Sequence, residues 1–214
     1  MINQHALGTL TSLQLGQVVD NVDPEGRGRV KVRLHGAEME LWASVATLSA
    51  GKGYGAALLP RNDEIVVLAF VTPDLALVLG SIWSGQGSAP EEADPHEDHY
   101  LLRTPSGSVL EFDDSDGPRI EIRTPHGYRL TITDGNGGEI ELSRGGQSVK
   151  MTASEISVRS SGEVKVDAGS VTVTAGSVTV NAGMSKFSGV VQADTVITNA
   201  VVSSTYTPGA GNIW

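Results

Sequence analysis

The C-terminal half of the chain contains a short repeat of alternating apolar and polar residues. Residues 163–183 read EVKVDAG, SVTVTAG and SVTVNAG, so each seven-residue unit places two valines two positions apart before Ala-Gly. A period of two is typical of a strand rather than a helix. Alternate residues then point to opposite sides, which predicts one apolar face, an axial core made by Val164, Val166, Val171, Val173, Val178 and Val180.

A longer repeat of twenty residues precedes these units. RTPSGSVLEFDDSDG begins at Arg103 and RTPHGYRLTITDGNG begins at Arg123. The flanking segments RIEIR (119–123) and EIELS (139–143) recur at the same offset. Each repeat is predicted to be two alternating strands joined by an acidic, glycine-rich turn.

The N-terminal part of the chain shows several short apolar runs separated by turn residues. In RVKVRL (29–34), three apolar residues alternate with three basic ones, which predicts a half-buried antiparallel strand. ELWASVATL, DEIVVLAFV and LALVLGSIW supply further short runs. Short strands without a helical period predict a small closed barrel.

The segment QGSAPEEADPHED separates the two patterned regions and is rich in proline and acidic residues, as linkers are. The patterns predict an all-β chain with five segments. They are an N-terminal arm, a barrel, an acidic linker, a needle-like shaft and a tip, at residues 1–14, 15–85, 86–99, 100–205 and 206–214.

Composition narrows the possible functions. Aromatic residues make up only 5% of the 214 residues, so part of the chain must have a slender aliphatic core. The chain lacks cysteine, which excludes disulfides and thiolate metal sites. Its net charge is −10 without a basic tract, which argues against nucleic-acid binding. No basic region followed by an apolar stretch begins the chain, so we expect synthesis in the cytoplasm without a signal peptide.

A seven-residue unit is too short to bury its own apolar face. Three identical chains, each supplying one wall of a prism in turn, would bury the valines at a shared axis and pair the strands between neighbours. The pattern therefore favours an intertwined homotrimer, a triple-stranded β-helix. A single-chain solenoid is the alternative.

These residues resemble a known family, the central spike of contractile phage tails (baseplate assembly protein V), and are similar to the valine-glycine-repeat spikes of type VI secretion. The resemblance rests on GQVVDNVDPEGRGRVKVRLHG with the closing LGSIW, on RTPSGSVLEFDDSDG, and on the terminal YTPGAGNIW. It implies an oligonucleotide/oligosaccharide-binding (OB) barrel followed by the needle. It also implies a homotrimer at the baseplate of a virion or injection particle, at the tail tip. A hub protein would bind the OB end, and the needle would pierce the target cell's outer membrane transiently when the sheath contracts.

The resemblance also raises candidate sites. Some such spikes carry a lysozyme domain, but here the linker leaves no room for a cleft with paired carboxylates. We therefore expect no catalytic residues, no cofactor and no enzyme activity, and we interpret the acidic linker residues as solvated charge. They include Glu91, Glu92, Glu97 and Asp98.

The tip is expected to differ from spikes that close on a histidine-bound iron ion. The histidines are His5, His35, His96, His99 and His126, so none lies near the C-terminus, and no tip metal is expected. The His96-x-x-His99 pair is a weaker metal alternative. The tip would instead close through Tyr206, Pro208 and Trp214, which either pack the last turn or form an apolar platform for a PAAR-type cap.

Two further readings remain as alternatives. A β-helical tail fibre or adhesin that binds or cleaves surface polysaccharide would also use a stacked β-shaft, although it would need more aromatic residues and clustered acids. The basic residues at 27–33 suggest single-stranded nucleic acid on an OB barrel, but such binding also needs stacking aromatics. We interpret these bases as facing the hub or an adjacent subunit.

Overall fold

The computed structural model describes residues 13–72, 74–94 and 97–204. The chain divides into two compact units, Met1–Val164 and Lys165–Trp214, which are described separately below. The predicted arm lies almost wholly outside the described residues, and so do Tyr206, Pro208 and Trp214 of the predicted tip. The boundaries of the five predicted segments remain a prediction.

The first unit begins with a closed five-stranded barrel. Its strands are ordered β1-β2-β3-β7-β6, with β6 pairing back onto β1. Every pairing is antiparallel except that of β3 with β7. The strands of this region, with a small hairpin (β4, β5), are β1 Gln14–Asp20, β2 Arg29–Leu34, β3 Glu40–Val45, β4 Ala50–Gly51, β5 Tyr54–Gly55, β6 Ile65–Thr72 and β7 Leu75–Ile82. The predicted small closed barrel is confirmed.

The barrel core is aliphatic, as the low aromatic content requires. Val30 and Val32 are completely buried and Leu34 is nearly so, while the basic residues between them stay at least partly accessible. The strand predicted from RVKVRL is therefore confirmed. The buried core consists of Val18, Val30, Val32, Leu34, Ala43, Val66, Leu68, Ala76 and Val78.

A second sheet follows the barrel and runs as an antiparallel meander in chain order. Its strands are β8 His99–Arg103, β9 Val109–Asp113, β10 Arg119–Arg123, β11 Arg129–Thr133, β12 Glu139–Arg144, β13 Gln147–Thr152 and β14 Ile156–Arg159. One-turn 3₁₀ helices lie at Glu91–Ala93 and Gly135–Gly137. Each twenty-residue repeat is a strand, a turn and a strand, as predicted.

Reversal between these strands uses left-handed backbone at the turns. Gly117 has φ 94° in the turn between β9 and β10, and Gly145 has φ 57° between β12 and β13. Glycine adopts such angles without the steric cost that a β-carbon brings. The turn residues thus explain why the chain folds back at these points.

The second unit behaves differently in its described part, residues 165–204. These residues form no strand with one another. The glycines that end the seven-residue units, Gly169, Gly176 and Gly183, lie outside the left-handed region. The chain therefore bends at these corners without the hairpin geometry of the meander.

The barrel provides a sharp test of its packing at Gly16 on β1. A β-carbon there would lie 2.4 Å from Val32 Cγ1 and 2.8 Å from the Arg33 carbonyl oxygen. We predict that Gly16→Ala lowers the free energy of unfolding of the barrel by about 1–3 kcal/mol, because the added methyl group overpacks the core. Urea unfolding followed by tryptophan fluorescence measures the change.

Gly80→Ala is the matched control on β7. A β-carbon at Gly80 meets nothing within 4 Å, and its backbone is not left-handed. This variant should unfold at the same urea concentration as the wild type or slightly above it. Equal losses in both variants would show that the close contact at Gly16 does not limit the barrel.

Candidate functional site

The meander presents an apolar face that remains exposed in the single chain. Tyr100 is 63%, Leu142 54% and Ile156 66% exposed. Since side chains alternate across a strand, two apolar residues from each of the seven strands share this side. The members of this apolar face are Tyr100, Leu102, Leu110, Phe112, Ile120, Ile122, Leu130, Ile132, Ile140, Leu142, Val149, Met151, Ile156 and Val158.

The strand register arranges these residues in two unbroken rows. One row runs from Tyr100 through Phe112 to Ile156, and the other from Leu102 through Leu110 to Val158. With strands about 4.8 Å apart, each row is roughly 29 Å long. Monomeric proteins rarely expose continuous apolar patches of this extent, so the face marks an interaction surface.

The opposite face of the sheet is charged, and its buried carboxylates pair with arginines on the same face. Glu121 is only 1% exposed and accepts hydrogen bonds from three guanidinium groups. Nη1 atoms of Arg119, Arg123 and Arg129 each lie 2.9 Å from a Glu121 carboxylate oxygen. Arg123 Nη1 also lies 2.7 Å from Glu111, which is 4% exposed. This face needs no partner to neutralise its buried carboxylates.

One linker residue belongs to this ionic network. Glu92 in the 3₁₀ helix pairs with Arg103 on β8 and, at 3.1 Å, with Arg123 on β10. The neighbouring Ala93 is 8% exposed. The interpretation of Glu92 as solvated linker charge is therefore wrong: it anchors the linker to the charged face. Glu91 and Glu97 are exposed, in agreement with that interpretation.

A small cluster of potential metal ligands lies at the edge of the same network. His99 Nδ1 is 3.2 Å from Glu111, and His99 Nε2 is 3.5 Å from Asp113. Arg119 already lies 2.7 Å from Asp113 and 3.6 Å from Glu111. Because a guanidinium group competes for both carboxylates, the cluster is better described as part of the ion-pair network. His96, the other half of the predicted alternative pair, is outside the described residues.

The electrostatics of Asp113 follow from its hydrogen bonds. The Ser115 hydroxyl group, the Ser115 backbone amide and the Arg119 guanidinium group all donate to it, and they hold its pKa well below the ordinary value. Arg119 has a raised pKa, chiefly through the same contact with Asp113. The ionised forms of both groups are therefore favoured.

The basic strand β2 is neutralised within the barrel. The Arg29 side chain donates two hydrogen bonds to Asp23, which lowers the pKa of that carboxyl group. Lys31 and Arg33 lie 3.0 and 2.7 Å from Glu40. These three bases already have carboxylate partners. This pairing weakens the hypothesis that the strand binds nucleic acid, and it also weakens the interpretation that the bases face a neighbouring protein.

The predicted axial valines have no strand partners in the described chain. Their exposed fractions range from 61% to 72%. Their role as a shared core stays a prediction.

A closed five-stranded barrel followed by a sheet with an exposed apolar face defines an all-β protein built to associate through that sheet. The family model described as the type VI secretion system/phage-baseplate injector OB domain matches residues 14–83. The model described as the phage baseplate V C-terminal trimerisation domain matches residues 119–185. The chain belongs to the phage baseplate V family, and its resemblance to the central spike is confirmed. A search of curated proteins found no match.

The family gives the chain a structural role in the baseplate of a virion or injection particle. The trimerisation match includes strands β10 to β14 and supports a homotrimer. Across residues 13–72, 74–94 and 97–204, no helix is both long and apolar enough to cross a membrane.

Sequence reasoning missed the buried carboxylates. The sequence pattern that could have indicated them is RIEIR, where Arg119, Glu121 and Arg123 alternate with two isoleucines. Opposite charges two positions apart share one face of a strand, so the pattern indicates an ion pair on the side away from the apolar residues.

The lowered pKa of Asp113 predicts a pH-dependent contribution to stability. A carboxyl group whose pKa is lower in the folded state stabilises the fold above its unfolded pKa of about 3.9, and this stabilisation is lost as the pH falls below that value. We expect Asp113→Asn to cost about 1–3 kcal/mol at pH 7, and the cost should shrink towards pH 3. Unfolding temperatures across this range measure it.

Asp114→Asn provides the control, since Asp114 is the exposed neighbour of Asp113. It should change the unfolding temperature little at either pH. A cost of Asp113→Asn that is the same at pH 7 and pH 3 would contradict the assignment of the ion pair.

Proposed function

We propose that the chain is a non-catalytic, membrane-piercing central spike, which punctures the target cell envelope when a contractile tail or injection machine fires. The observation that carries this proposal is the continuous apolar face of the meander, part of which lies in the matched trimerisation domain. Three copies can bury such faces against one another and form a stiff shaft. In this proposal residues 100–205 form the shaft and residues 206–214 its tip.

The seven-residue units support an intertwined shaft, a triple-stranded β-helix. The corner glycines Gly169, Gly176 and Gly183 lack the left-handed backbone that the meander uses for its hairpins. Extended segments that do not fold back into hairpins leave backbone groups without strand partners in the described chain, and other copies would supply those partners. Two valines per unit would then form the axial core.

The proposed spike role also implies partners other than copies of the chain itself. The OB barrel would bind a hub protein, the tip would carry a PAAR-type cap, and the shaft would contact the outer membrane only during penetration. The particle would carry the spike at the tail tip of its baseplate. Twelve of the fourteen residues of the apolar face are not aromatic, which fits burial between copies better than stacking on sugars in a polysaccharide-binding fibre.

The association can be tested at the predicted axial core. The wild type should have a mass in solution of about 67 kDa, three times the 22.3 kDa of one chain. Val173→Lys should prevent assembly or lower the temperature at which the trimer dissociates in SDS, because it places three charges in one apolar core. Light scattering and SDS gels at increasing temperature measure both properties.

Thr172→Lys is the matched control, because residue 172 points to the opposite side of the same predicted strand. It should assemble as the wild type does. If Val173→Lys stays a heat-resistant trimer while Thr172→Lys does not, the predicted inward face is wrong. A wild-type chain that is monomeric in solution would contradict the proposed trimeric spike.

The piercing role can be tested by shortening the shaft. Deleting residues 170–183 removes two complete seven-residue units and preserves the phase of the repeat. In the virus or injection system that encodes the chain, we expect particles that still assemble and contract but kill at least ten-fold fewer target cells. Electron microscopy counts contracted particles, and a survival assay measures killing. Undiminished killing would contradict the piercing role.

A further inference from the structure

An apolar pocket lies where the barrel ends and the meander begins. It has a volume of about 400 Å³ and is walled by residues that follow β7 and by the first two strands of the meander. Most of its wall is apolar. The residues that matter here are Trp83, Ala93, Tyr100, Leu102, Leu110 and Phe112.

The pocket concentrates aromatic side chains in a chain that has few. The sequence contains three Trp, four Tyr and three Phe, and three of these ten residues line this one pocket. Trp83 is 68%, Tyr100 63% and Phe112 43% exposed. Exposed aromatic residues grouped in a concave site are typical of the energetic centre of a protein interface.

The strand register connects this pocket to the trimerisation domain. Tyr100 lies opposite Phe112 across β8 and β9, and Phe112 lies opposite Ile120 across β9 and β10. Ile120 lies inside the matched trimerisation domain, which begins at residue 119, whereas the pocket lies wholly before it. The apolar face therefore continues without a break from the matched domain into the pocket.

This continuity identifies the occupant as a second copy of the chain. Copies that associate through the rows at Ile120 and Ile122 bring their own Tyr100, Leu102 and Phe112 to the same level. The wall contains no Asp, Glu, Lys or Arg side chain, and the ring nitrogens of its one histidine, His99, face Glu111 and Asp113. A charged partner would thus find little to pair with in the pocket, whereas an apolar copy of the same face would fit.

We propose that Trp83, Tyr100 and Phe112 from each copy form an aromatic collar, in which each pocket is closed by the neighbouring copy. The collar extends the interface beyond the matched domain up to the end of the barrel. It fixes the position at which three barrels join one shaft. The proposal rests on the trimeric spike proposed above and adds a site to it.

The fluorescence of Trp83 tests whether the pocket is covered. The full-length variant Trp42→Phe/Trp214→Phe keeps Trp83 as its single tryptophan. In the trimer we expect iodide quenching at least five-fold weaker than that of free tryptophan amide, together with a blue-shifted emission. Trimer mass is measured on the same sample by light scattering.

A matched pair of substitutions in this background adds a second measurement. Phe112→Ala should increase the quenching of Trp83 at least two-fold and lower the temperature at which the trimer dissociates in SDS. Tyr54→Ala removes an aromatic residue that is 73% exposed on the β4–β5 hairpin and should change neither property.

The outcomes separate the collar from the spike itself. A trimer in which Trp83 is quenched as strongly as free tryptophan amide overturns the collar and leaves the trimeric spike intact. Protection of Trp83 that appears only after purified hub protein is added assigns the pocket to the hub and also overturns the collar. A chain that stays monomeric overturns the proposed spike, and with it the collar.

Discussion

The alternation of apolar and polar residues along the meander is the constraint on which the rest of the structure depends. It places Leu110 and Ile122 on one side of the sheet and Glu111 and Glu121 on the other. The charged side is complete within one chain, because its buried carboxylates already bind arginines. The apolar side is not complete within one chain, because its side chains are exposed to water. Burying them would contribute about 25 cal/mol of favourable free energy for every Å² of apolar surface. Association is therefore driven from one defined face.

The charged face has a second consequence, which concerns the linker. Glu92 binds Arg103 and Arg123, so the segment after the barrel is held on the sheet instead of acting as a flexible tether. The proposed piercing spike would have to transmit a compressive force from its base to its shaft, and a loose connection would let the barrel and the sheet rotate against each other. The ion pairs and the apolar pocket act at the same junction, from the charged face and from the apolar side.

Much of the fold could be predicted from local patterns. RVKVRL predicted a half-buried strand with Val30 and Val32 inside, and the repeats at Arg103 and Arg123 predicted paired strands with glycine-rich turns. Glu92 could not be predicted, because its partner Arg123 is 31 residues away and meets it only after the meander has formed. The convergence of Trp83 with Phe112 escaped prediction for the same reason. Period-two reasoning fixes the side of a strand on which a residue lies, but not what covers it.

The spacing of the strands explains why pairing within the chain stops where it does. From β9 to β12, the apolar residues recur every ten positions, which leaves room for a five-residue strand and a five-residue turn with left-handed glycine. In the seven-residue units only Ala-Gly separates the predicted strands, and the glycine there is not left-handed. Barrel and meander can thus form their hydrogen bonds in one chain, whereas in the proposed triple-stranded shaft residues 165–204 would gain strand pairing only by association. Because binding stabilises only the state that binds, the stability of this segment in the proposed shaft would depend on protein concentration in a way that the stability of the barrel does not.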